Sequence, residues 1–193
     1  MGEVVSHLLT LLVGGVIGVV IGGLGKVAQD SYSRHHDTRV MAAALRAEIL
    51  VILDGIRRGQ YIGMCDEIVA HVSVPGHVVT PDDYLDAPVT QTLCPIFNAH
   101  CSKIGLLGDA AGAVVRTYEL WESVALDLRF LPDRHKRLPL NAKQLVAFHQ
   151  GMKGTFEQII ENGERAAELL RQEQQIRWAR RWRRTRGIDE VSG

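Results

Sequence analysis

The sequence is short of aromatic residues, which make up only 6% of its 193 positions. Sheet proteins draw heavily on Tyr, Phe and Trp, so this scarcity, beside many Ala, Leu, Val, Glu and Arg, points to helices packed on aliphatic seams. Cysteine is also sparse, with Cys65, Cys94 and Cys101 as the three. An odd, small set makes a poor disulfide framework and predicts free thiols in a reducing compartment. No G-x-G-x-x-G, P-loop, G-x-S-x-G or H-E-x-x-H occurs, so neither a phosphate cradle nor a nucleophile elbow nor a zincin helix is nominated. GMKG (151–154) lies inside a helical stripe rather than after a strand, and does not read as a phosphate loop. The expectation is a protein that is not an enzyme, with no catalytic residue, cofactor or metal.

Charge is absent from one long stretch. From Val4 to Gly25 there is no Asp, Glu, Lys or Arg. At 1.5 Å per residue this run covers about 33 Å as a helix, enough for a bilayer core of roughly 30 Å. No basic residue precedes it and no A-x-A-like site follows, which argues against a secretory signal. A transmembrane helix is therefore expected. Glu3 precedes the run, while Lys26, Arg34, Arg39 and Arg46 follow it. The positive-inside rule then puts the short N-terminus outside and the bulk of the chain in the cytoplasm, as a single-pass protein of the cell (inner) membrane.

Within this run Ser6, Thr10, Gly14, Gly18 and Gly22 recur every four residues and share one helix face. In lipid there is little hydrophobic drive between helices, and small residues let two backbones approach closely. This face predicts self-association, the partner being another copy. Gly15 and Gly23 lie off the stripe and have no account.

Beyond Lys26 the polar segment QDSYSRHHDTR holds no Pro or Gly, so the helix can continue out of the membrane. From Val40 an apolar stripe of Leu45, Ile49, Ile52, Ile56 and Gly63 predicts an amphipathic helix reaching about Val72, with Glu48, Arg57 and Arg58 off the stripe. Residues 74–88 read as a loop. A short helix with Pro95 in its first turn follows, then a break at GLLGD (105–109), with Gly108 as the stop and Asp109 as a cap. The next helix is expected over about Ala110–Phe130, with Val114, Tyr118, Trp121, Ala125 and Leu128 inward, and 131–140 as a basic, Pro-bounded turn. Asn141 can cap a last helix with the stripe Leu145, Phe148, Met152, Phe156, Ile159, Ala166 and Leu170. The fold class is thus all-α: a transmembrane anchor (1–27) continuing into an antiparallel helical bundle (28–170), then a basic tail (171–193).

The balanced total of 22 basic and 22 acidic residues hides that tail. Residues 171–186 hold seven Arg and one Glu. Arg177, Trp178, Arg180, Arg181, Trp182, Arg183 and Arg184 form the candidate anionic-surface site. Trp178 and Trp182, four apart, share a helix face, and antiparallel return of the last helix would bring them to the lipid surface. The lipid bilayer is the first expected partner and an unidentified cytoplasmic protein the next. Nucleic acid stands behind them as an alternative, and so does a spanin-like role with the bundle outside the cytoplasm.

Several histidine groups invite a metal reading. In HHD (35–37) neighbours point about 100° apart along a helix and do not converge. Cys94, His100 and Cys101, with Cys65 and His71 as possible completers, lack the short C-x2–4-C spacing of zinc sites. Glu67 and His71 are four apart, not the three of a di-iron Glu-x-x-His, and His149 reads as a boundary histidine. The layout, with PIFNAHCSKIGLLGDAAGAVVRTYELW (95–121), resembles bacterial proteins of uncharacterised role that carry one N-terminal membrane helix and a cytoplasmic helical domain. That resemblance is architectural and implies neither an activity nor site residues.

Overall fold

The computed structural model describes residues 2–80, 83–85, 94–137 and 140–176, with side chains from Lys26 onward except at 131–137. Among these residues five α-helices follow one another: α1 (Gly2–Arg58), α2 (Tyr61–Val72), α3 (Pro95–His100), α4 (Ala110–Arg137) and α5 (Ala142–Gln175). A 3₁₀ segment, Cys101–Leu107, joins α3 to α4. No strand occurs among the described residues, so the protein is all-α.

Contacts divide the chain into two units, of which Met41–Gln175 is one compact body. In its core, α1 contributes Met41, Leu45, Ile49, Ile52, Leu53 and Ile56, of which Leu45, Ile49, Ile52 and Ile56 belong to the stripe expected from periodicity. α4 buries Val114, Tyr118, Ala125 and Leu128, and α5 buries Leu145, Met152, Phe156, Ile159, Ala166 and Leu170. Helix α5 packs on both α2 and α4. Tyr61 at the start of α2 stacks on Phe156 of α5, with ring centroids 5.4 Å apart. Leu53 meets Gly163, Arg57 pairs with Glu164, and Asp66 on α2 pairs with Lys153 at 2.8 Å. From Tyr61–Phe156 to Asp66–Lys153 the numbers rise on α2 as they fall on α5, so α5 runs antiparallel to α2.

Helix ends follow local chemistry. Asn141 and Gln144 form a reciprocal capping box at the start of α5: Gln144 N–H donates to Asn141 Oδ1 at 2.9 Å, and Asn141 N–H donates to Gln144 Oε1 at 3.0 Å. Gly108 sits at φ +57° and ψ −126°, a conformation that side chains disfavour, and breaks the chain before α4 as GLLGD predicts.

Two boundaries differ from expectation. The first helix does not persist to Val72. It stops at Arg58, and Gln60 takes a left-handed φ of 51° before α2 begins. The turn changes the register, so Gly63 leaves the apolar stripe and is exposed. Helix α4 runs through Pro132 to Arg137, where a turn was expected. Proline removes one backbone donor, and that alone does not end a helix.

Among the described residues, no helix is long and apolar enough to cross a membrane. The backbone of 2–25 is helical within α1, but the side chains of the uncharged run, and with them the stripe Ser6, Thr10, Gly14, Gly18 and Gly22, lie outside the described residues. Arg177, Trp178, Arg180, Arg181, Trp182, Arg183 and Arg184 also lie outside them.

Candidate functional site

Two polar constellations are built inside the Met41–Gln175 body. The first centres on Glu48, half-buried on α1. Its carboxylate accepts the N–H groups of Ile96 and Phe97, each at 3.0 Å. These are free donors in the first turn of α3, where Pro95 supplies none. The same carboxylate accepts the Tyr118 hydroxyl of α4 at 2.7 Å. One side chain thereby ties α1, α3 and α4 together. Phe97 stacks on the Tyr118 ring with centroids 4.1 Å apart, which keeps the hydroxyl aimed at Glu48. Burial, followed by the bond to Glu48, pushes the Tyr118 pKa upward. Burial first, and then the Glu48 charge, pushes the adjacent Cys94 thiol up to about 11. The node has the character of a structural clasp: it holds a proton on Tyr118 and leaves no nucleophile.

The second constellation lies where α2 ends. His71 occupies the last turn of α2. Val74 to His77 then form a turn, with His77 N–H donating to Val74 O at 3.1 Å and Gly76 at φ +83°. That turn carries His77 back beside His71, the two rings meeting edge-on with centroids 4.7 Å apart. Asp83, with only 2% of its side chain exposed, completes the group. Its Oδ2 accepts the Thr80 N–H at 2.6 Å and the Thr80 hydroxyl at 3.1 Å. His77 Nε2 stands 2.9 Å from the same oxygen, and His71 Nε2 stands 3.6 Å from Oδ1. Burial alone would raise the Asp83 pKa, but the Thr80 and His77 hydrogen bonds outweigh it and hold the carboxyl below its usual range. His71 remains largely open to solvent and His77 is mostly covered, so the group is a half-open cup on the surface. An open groove of about 430 Å³ lies alongside, lined by Val72, Pro75, His77, Lys143 and Val146 among others.

His149 on α5 is fully buried. Its Nδ1 bonds Leu145 O at 3.0 Å, which makes Nδ1 the protonated nitrogen and leaves the lone pair on Nε2. Nε2 has no hydrogen-bond partner among the described residues. Burial depresses the His149 pKa, while Leu145 O and the Asp83 charge pull the other way. It is therefore a neutral interior imidazole rather than a boundary one.

The residues considered from sequence fall in different places. His71 joins His77 and Asp83, not Cys65. The three cysteines are free, with Cys65 and Cys94 buried and Cys101 exposed. In the HHD triplet His35 is buried while His36 and Asp37 are exposed, so the segment is only partly solvated. Sequence reasoning passed over His77, Asp83 and Glu48. The spacing H-x5-H-x5-D across a Pro-Gly turn was a usable signal for the first two. Glu48 gave none, because its partners lie 48 to 70 residues away.

Comparison of the chain with known protein families, with curated proteins and with solved structures returned no match.

Proposed function

We propose that the protein is a single-pass, membrane-anchored helical scaffold. Residues 4–25 cross the bilayer, the chain self-associates through its small-residue face, and the helical body presents a cytoplasmic surface to a protein partner. The observation that carries this reading is the uncharged run Val4–Gly25 opening a helix that is unbroken to Arg58. A buried core helix of a soluble body has no need for so long a run without charge. The flanking charges support a cytoplasmic body.

Self-association has support beyond the glycines. On α1, Val40 is 55% exposed and Val51 70% exposed, with Ala43 and Ala47 also open to solvent. A second copy running parallel would cover these positions. The Arg/Trp tail supplies contact with anionic lipid in this reading, with nucleic acid as the competing target.

The test is oligomeric state in mild detergent, by light scattering, for wild type and for Gly14→Leu, Gly18→Leu and Gly22→Leu combined. Dissociation to monomer is expected. Val51→Glu should weaken the assembly in the same direction. An unchanged assembly in both variants would remove the small-residue face from the account.

A further inference from the structure

We propose that His71, His77 and Asp83 form a binding site for one divalent ion of the zinc class. The inference stands on the helical body alone and is independent of the membrane reading.

Three donor atoms converge: two imidazole Nε2 atoms and a carboxylate oxygen, all within 4.8 Å of one another. A zinc ion at about 2.0–2.1 Å from each of three tetrahedral ligands sets those ligands about 3.3 Å apart. His77 Nε2 lies 2.9 Å from Asp83 Oδ2 and His71 Nε2 lies 3.6 Å from Oδ1, one on either side of that value. With donor atoms spread over as much as 4.8 Å, closing on an ion needs shifts of up to about 1.5 Å. His71, the most exposed of the three, is the ligand free to make them.

Asp83 carries the argument furthest. A carboxylate buried to 2% exposure is costly unless its charge is compensated. Here it receives two hydrogen bonds from Thr80 and one from His77, and no Lys or Arg pairs with it among the described residues. A dication between the carboxylate and the two imidazoles would meet that charge directly, in place of the His77 proton. Thr80 then plays the part common behind metal carboxylates, fixing the orientation of the ligand from outside the coordination shell.

The donor set selects the class of ion. Calcium and magnesium ask for oxygen ligands, and this site has two nitrogens. A closed structural zinc site would use thiolates, yet no cysteine joins the group among the described residues. Two histidines and one carboxylate with an open side match zinc or another borderline first-row ion with a coordination position left for water or a small anion. Bound metal would also pin His77 and Asp83 to the end of α2.

The test is titration of the untagged full chain in mild detergent with zinc against a chromophoric chelator, followed by cobalt(II) absorption. Wild type is expected to bind one zinc per chain. His71→Gln and His77→Gln should each weaken binding at least tenfold, and Thr80→Val by a smaller factor, with helical circular dichroism unchanged. His71 is exposed, so its replacement leaves the packing intact. The cobalt spectrum should show d–d bands without thiolate-to-cobalt charge transfer. Wild type that fails to compete with the chelator overturns the proposal. So does zinc binding that both histidine variants retain, or a thiolate charge-transfer band, which would move the metal to the cysteines.

Discussion

Replacing Glu48 with Ala should destabilise the helical body more than any other single surface-reachable change. The carboxylate accepts two α3 N–H groups at 3.0 Å and the Tyr118 hydroxyl at 2.7 Å. Loss of a helix cap costs about 0.5–2 kcal/mol. Leaving a buried hydroxyl without its acceptor adds about 1–3 kcal/mol. Glu48 is half-buried, so water recovers part of both terms, and the expected loss is about 2–4 kcal/mol. For a chain of this length each kcal/mol moves Tm by roughly 2–4 °C, which puts the shift near 10 °C. Glu48→Gln keeps one acceptor oxygen and should lose about half as much. Tyr118→Phe should cost about 1 kcal/mol, and the double variant Glu48→Ala/Tyr118→Phe less than the sum of its parts, because the shared bond is lost only once. The assay is thermal and urea unfolding of the full chain in mild detergent, followed by circular dichroism. A Glu48→Ala variant within about 0.5 kcal/mol of wild type, or strict additivity in the cycle, would refute the clasp.

Three further outcomes are expected. Gly163→Ala places a Cβ 2.7 Å from Leu53 Cδ2 and 3.2 Å from its Cγ. Overpacking of about 1–3 kcal/mol should outweigh the helix-propensity gain of about 1 kcal/mol, and in a Leu53→Ala background the same change should become neutral or favourable in unfolding experiments. Burial pushes the Cys65 thiol, like that of Cys94, up to about 11, whereas Cys101 is exposed. Mass spectrometry after brief alkylation near neutral pH should find one modified site, at Cys101, and three only after unfolding. Tyr118 has its pKa raised by burial and by Glu48. Its contribution to stability is therefore complete below about pH 10, where unfolded tyrosine titrates, and is lost as pH rises from there toward the folded value. Tyrosinate absorbance of the native protein up to about pH 11 should match that of Tyr118→Phe, and a larger amplitude in wild type would contradict the burial argument.

Periodicity made the helices legible, and local caps made several of their ends legible. The buried stripes of α1, α4 and α5 follow a 3.6-residue period that needs no tertiary knowledge, and Asn141, Pro95 and Gly108 act within a few residues of themselves. The break at Gly59–Gln60 was hidden because the apolar period resumes almost at once beyond it. The passage of α4 through Pro132 was hidden because proline signals an end more often than it enforces one. Glu48 looked like a solvated charge beside the stripe. Its role depends on donors from α3 and α4 that only the fold brings together. His71 was noticed but paired with the wrong residues, since helix spacing directed attention to Cys65 and Glu67. The loop turn at Pro75 and Gly76 is what returns His77 to it.

The central claim, that residues 4–25 anchor the chain with its helical body in the cytoplasm, is tested most directly by topology. A tag placed after Gly193 is followed through membrane fractionation, alkaline extraction, and external protease on intact and then lysed cells. The chain is expected to stay in the membrane pellet after alkaline washing, with the tag protected until lysis. Release into the soluble fraction would contradict the anchor. Cleavage of the tag in intact cells would keep the anchor, reverse the orientation, and place the body and the Arg/Trp tail on the opposite side of the bilayer.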